Sequence, residues 1–113
     1  MGKRTDVLKG TLDLLILHAL RPGPQHGYGI TQWIRGTTGE VLQIDDGALY
    51  PALHRLEDRG WIVSDWGVSD NNRKAKFYRL SAEGRRRLET ETRSWQRFSG
   101  AVADVIRASR SES

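Results

Sequence analysis

Three cations, Arg73, Lys74 and Lys76, fall within four positions of a polar, turn-rich stretch. Ammonium and guanidinium groups so placed either stand in water as a solvated charge run or neutralise phosphates. A second group, Ala48, Tyr50, His54 and Arg55, points away from Leu49, Leu53 and Leu56 at helical spacing. Tyr and His hydrogen-bond to bases or phosphates, and Arg reads guanine or neutralises a phosphate, although the plainer account is an ordinary solvated helix face. A third group is aromatic. Trp95 and Phe98, with Leu88 nearby, place flat rings where they serve as core or as the wall of a pocket for a flat ligand.

Catalytic chemistry finds little support. His18, His26 and His54 sit on separate segments without metal-ligand spacing, and the chain has no cysteine. Gly27-Tyr28-Gly29 does not complete a phosphate-binding glycine loop after a strand. Asp45-Asp46 and Glu57-Asp58 are sequence neighbours that helix capping and solvation explain. No metal, cofactor or catalytic residue is expected, and the chain reads as a non-enzyme.

The elements that must position these groups follow from composition and periodicity. A chain of 113 residues holds one hydrophobic core. Its 18 Lys and Arg against 14 Asp and Glu give a net charge of +4, which favours polyanionic partners. No apolar run reaches bilayer length and no signal peptide is visible, so a cytoplasmic location and no membrane partner are expected. Leu8, Leu12 and Leu15 recur on one face of a first helix from Val7 to Leu20, which is apolar nearly all round and so predicts burial against a second subunit. Arg21-Pro22-Gly23-Pro24 ends it. A second helix begins near His26 and stops at Gly36-Thr37-Thr38-Gly39. Asp45-Asp46 caps a third from Gly47 to Arg59, with Pro51 one turn inside and Gly60 as its stop. Two strands, Trp61 to Trp66 and Lys76 to Leu80, flank a long basic tip from Gly67 to Ala75. Ser81 caps a last helix in which Leu88, Trp95 and Val102 recur every seven residues, with Phe98 and Val105 at the alternate step.

This order predicts an α+β winged helix-turn-helix: a three-helix core plus a two-stranded β wing over residues 1–80, a C-terminal dimerisation helix over 81–108 and a disordered tail over 109–113. The third helix would enter a major groove and the hairpin would follow the backbone or minor groove.

The residues that carry the pattern also resemble a family. Leu8-Lys9-Gly10-Thr11-Leu12-Asp13-Leu14-Leu15-Ile16-Leu17, His26-Gly27-Tyr28-Gly29-Ile30, Gly47-Ala48-Leu49-Tyr50-Pro51-Ala52-Leu53-His54-Arg55-Leu56-Glu57 and Phe77-Tyr78-Arg79-Leu80-Ser81 resemble, in order, the PadR family of bacterial transcriptional regulators. The resemblance covers about the first 85 residues and the C-terminus is like the shorter branch of that family, with a single final helix. It implies a homodimeric repressor on a double-stranded DNA operator, often released by a small aromatic or amphipathic effector. It further implies that Tyr28, Tyr50 and the basic wing lie near DNA, where packing between helices is the alternative for the two tyrosines. The DNA-binding set is thus Tyr28, Ala48, Tyr50, His54, Arg55, Arg73, Lys74 and Lys76. The expected dimer interface is Leu8, Leu12, Leu15, Leu88, Trp95, Phe98, Val102 and Val105, and the effector would meet Trp95 and Phe98. The rival from a different class is a winged-helix module that docks its third helix on another protein.

Overall fold

The computed structural model describes residues 2–111, with side chains from Gly10 onward. The helices are α1 (Gly2–Leu20), α2 (Gly27–Thr37), α3 (Asp46–Asp58) and α4 (Ala82–Ser111), and the strands are β1 (Gln25–His26), β2 (Ile62–Val68) and β3 (Lys74–Leu80). The sheet is antiparallel in the order β1-β3-β2. This is a winged helix-turn-helix with a long C-terminal helix.

Ile16, Leu17 and Leu20 of α1, Ile30 and Ile34 of α2, Leu49, Leu53 and Leu56 of α3, and Ile62 of β2 are fully buried together and form the centre of the core. Leu12 and Leu15 are only half buried, against its edge. Leu8, expected at a subunit interface, lies outside the residues whose side chains are described.

Local signals end each element. The His26 Nδ1 accepts from the Gly29 N–H at 3.0 Å, which makes His26 the cap of α2. Asp45 caps α3 in the same way, accepting from the Ala48 N–H at 2.8 Å. At the far end Trp61 N–H donates to the Leu56 carbonyl and Gly60 N–H to that of Glu57, with Gly60 at φ 77°. That paired pattern requires a left-handed residue, which glycine adopts without steric cost. Pro51 leaves α3 unbroken.

Three features depart from the sequence expectation. A short strand, β1, precedes α2 and adds a third member to the sheet, pairing Gln25 with Tyr78 and His26 with Phe77. The wing is a more regular hairpin than expected, because Gly67 and Val68 pair with Ala75 and Lys74. Its turn narrows to three residues, Asp70 to Asn72, closed by Ser69 N–H to Arg73 O at 2.8 Å and with Asn72 left-handed at φ 60°. The last helix runs on to Ser111, through positions 109–111 where a disordered tail is expected.

The two halves of α4 meet different surroundings. Gly84 and Leu88 are buried, and a Cβ on Gly84 would collide with the Trp61 carbonyl oxygen. Leu88 is 2% exposed within the core, so the placement of this residue at a subunit seam is corrected: it packs on its own chain. One turn on, His18 Nε2 lies 2.8 Å from Thr92 Oγ1, whose hydroxyl donates to the Leu88 carbonyl. With the hydroxyl proton so used, the imidazole is the donor and its proton sits on Nε2. Burial lowers the His18 pKa, with Arg21 acting in the same direction and Glu89 opposing. Beyond Thr92 the helix touches little: Trp95, Phe98, Val102, Val105 and Ile106 are all exposed.

Candidate nucleic-acid interface

The outer face of α3 runs through Gly47, Pro51, His54 and Asp58, at steps of four, three and four, with Ala48 beside Gly47, and all five are exposed. Pro51 has no N–H, so the Gly47 carbonyl on this face lacks its helical donor. Tyr50 flanks the face and is 43% exposed. A Cβ on Gly27 would lie 2.7 Å from the Tyr50 hydroxyl oxygen, so the first residue of α2 must be small for that tyrosine to lie over it. The adjacent Tyr28 is 69% exposed. It is therefore not packed between helices and stands at the start of α2, with its ring 6.5 Å from that of His26.

Arg55 departs from the expectation of a free side chain on this face. Its guanidinium donates to Asp13 Oδ1 at 2.8 Å, and Arg59 approaches the other carboxylate oxygen at 3.6 Å. Asp13 is 7% exposed, the one charged side chain among the buried residues described, so a counter-charge there is obligatory. Arg55 is drawn towards α1 rather than outwards. The sequence signal was an acid inside the apolar run Leu12 to Leu17, whose partner lay 42 residues away.

The other flank of α3 is joined to the wing. Ser64 Oγ donates to Glu57 Oε2 at 2.6 Å, and Lys76 Nζ lies 3.9 Å from Glu57 Oε1 and 5.8 Å from the Tyr78 ring centroid. Burial raises the Tyr78 pKa, with Glu57 and Tyr50 adding to it, so these three side chains converge at the seam between α3 and the wing. Glu57 therefore braces the hairpin against α3. Lys76 is engaged by this brace, whereas Arg73 and Lys74 are exposed nearer the tip. The structure thus assembles an exposed helix face with Tyr50 beside it and Tyr28 at the start of α2 and, on a braced hairpin, two exposed cations and one held by Glu57.

A second surface lies on the opposite part of the chain. Gly10, Thr11 and Leu14 of α1 with Glu91, Ser94, Trp95 and Phe98 of α4 line a cleft of about 220 Å³. The Trp95 and Phe98 rings are 5.9 Å apart and tilted by 38°. Among the described residues, no three His, Asp or Glu side chains come together as a metal set, and no helix is long and apolar enough to cross a membrane.

Comparison with known proteins agrees with this layout. The transcriptional regulator PadR-like family matches over residues 16–90. A transcriptional regulator of Mycobacterium tuberculosis is 32% identical over 94 residues, covering 83% of this chain and 84% of that protein. A transcriptional regulator from Clostridium thermocellum superposes with a TM-score of 0.78 at 31% identity, covering 88% of this chain and 96% of the other. Bacillus subtilis PadR in complex with operator DNA superposes with a TM-score of 0.63 at 29% identity, covering 71% of this chain and 45% of that one. With the family matched across most of the winged helix-turn-helix and the first turns of α4, the chain belongs to the PadR-like family of transcriptional regulators.

Proposed function

We propose that the protein is a homodimeric repressor that binds a pseudo-palindromic operator through α3 and its wing and acts in the cytoplasm. The observation that carries this reading is the exposed face of α3 set beside a braced hairpin with Arg73 and Lys74 at its tip. His54, Tyr50 and Ala48 face the major groove, Tyr28 meets the backbone, and Arg73 and Lys74 neutralise phosphates, with Lys76 held nearby by Glu57. Arg55 serves α3 through Asp13 and is left out of base reading. The similarity to Bacillus subtilis PadR, whose structure contains operator DNA, supports the same partner here.

The second copy is placed on α4. Trp95, Phe98, Val102 and Val105 form an exposed seam at heptad spacing that one subunit leaves bare. Two-fold symmetry would then set the half-sites about one helical turn apart, roughly 10 bp. The cleft beside Trp95 and Phe98 supports a planar aromatic effector held where the seam begins.

The test is an anisotropy titration of the full chain against its own upstream DNA at several salt concentrations, with unrelated DNA as competitor. Binding should outlast the competitor, and Arg73→Ala should flatten the dependence of log K on log salt by roughly one unit. Equal, weak binding to both DNAs would favour a protein-docking role for α3. Planar aromatic compounds, added to the same titration, should release the operator and quench Trp fluorescence.

A further inference from the structure

Trp66 is 66% exposed near the outer end of β2, an unusual position for so large an aromatic ring. Strand alternation fixes which way it faces. Ile62, Ser64, Trp66 and Val68 share one side of the hairpin, with Leu80, Tyr78, Lys76 and Lys74 opposite them in register. The inner part of that side is core, since Ile62, Leu80 and Tyr78 are buried, and Ser64 reaches Glu57 of α3. Trp66 thus stands on the α3 side of the wing, just beyond the rim of the core. It pairs across the strands with Lys76, and Lys74 on the diagonal places its Nζ 5.1 Å from the indole centroid.

Resting on the DNA-binding reading above, we propose that Trp66 and Lys74 form a subsite for one deoxyribose-phosphate unit of duplex DNA at the groove edge. The indole packs on the apolar face of the sugar while Lys74 meets the adjoining phosphate. The charge beside the ring selects this occupant: Lys76, opposite Trp66, is already engaged by Glu57, whereas the exposed Lys74 ammonium over the indole would be left uncompensated by an apolar protein surface and neutralised by a phosphodiester. Sugar contact removes apolar surface from water and displaces no counterion, so it contributes affinity that salt does not screen. Lys74 contributes the opposite kind. The pair would let one turn of hairpin hold DNA by two mechanisms with different responses to ionic strength.

Operator titrations of the full chain over a salt series separate them. Trp66→Ala should weaken operator binding by about tenfold at every salt concentration with the slope of log K against log salt unchanged. Trp66→Phe should restore most of the loss, and Lys74→Gln should lower the slope by roughly one. The exposed position of Trp66 leaves the fold intact, which far-UV circular dichroism of the variants checks. Two results would overturn the subsite: Trp66→Ala binding as tightly as the wild type, or Trp66→Ala losing slope as Lys74→Gln does with no further loss in the double variant, which would make the ring only a rest for the lysine. A wild type that does not prefer operator would instead remove the DNA reading itself, and the subsite with it.

Discussion

The chain up to Thr92 and the half of α4 beyond it follow opposite rules. Among the described residues, every buried side-chain nitrogen or oxygen has a hydrogen-bond partner, and the apolar side chains of α1, α2, α3 and the sheet meet in one core. Beyond Thr92 the helix carries Trp95, Phe98, Val102, Val105 and Ile106 at helical spacing, yet all five are exposed. The difference separates two jobs for apolar residues. Those of the body define the fold of one chain, while those of the far half would be stabilised only by a surface the single chain does not have.

That contrast breaks most readily at its boundary. Replacing Gly84 with Val puts a side chain into the Trp61 carbonyl, where backbone cannot yield, and should destabilise the body by about 3 kcal/mol, read from the urea midpoint. The contrast is sharpened by Val102→Asp, whose expected effect falls elsewhere. Sedimentation equilibrium should show self-association weakened by roughly a hundredfold or more, because a symmetric interface suffers the change twice. The stability of the dilute chain should change by less than about 0.5 kcal/mol, since Val102 is exposed on the single chain. A large loss of stability without loss of association would merge the two regions into one.

The smallest effect is at His18, which ties the near half of α4 to α1. Its pKa in the folded chain lies below 6.5, so between that lowered value and 6.5 the unfolded chain holds a proton that the folded chain does not. Stability from this group is complete above pH 6.5 and is lost as the pH falls through that window. Urea titrations between pH 7.5 and 5 should therefore show a shallower decline for His18→Gln than for the wild type. An identical decline would remove His18 as a titrating contact.

What the sequence disclosed divides along the same physical line. Helix periodicity, the caps at Asp45 and Ser81 and the glycine stop at Gly60 are local signals, and each element they mark is present where expected. The heptad spacing on α4 marks an exposed apolar row at Trp95, Phe98, Val102 and Val105, except at Leu88, whose heptad position says nothing about which surface is nearer. Pairings between distant residues were not legible. Gln25–His26 is too short for alternation to show and becomes a strand only because Tyr78 and Phe77 lie alongside. Arg55 looks free on a helical wheel until Asp13 of α1 is folded against it, and Glu57 looks like surface charge until Ser64 and Lys76 are brought to it. Of the candidate interface, the exposed members were therefore foreseeable and the groups that orient them were not.

Gly84 has one more consequence, in leverage. From this pivot α4 continues to Ser111, 27 residues on, a rigid arm of about 40 Å at 1.5 Å per residue. A tilt of about 5° at the Trp61 crossing displaces the tip by roughly 3–4 Å, close to the rise of one base pair at 3.4 Å. In a dimer joined along that arm, as proposed above, the gearing between pivot and tip would set the distance between the two α3 helices. On the proposed function, repacking that one helix crossing would alter the half-site spacing with the exposed face of α3 unchanged.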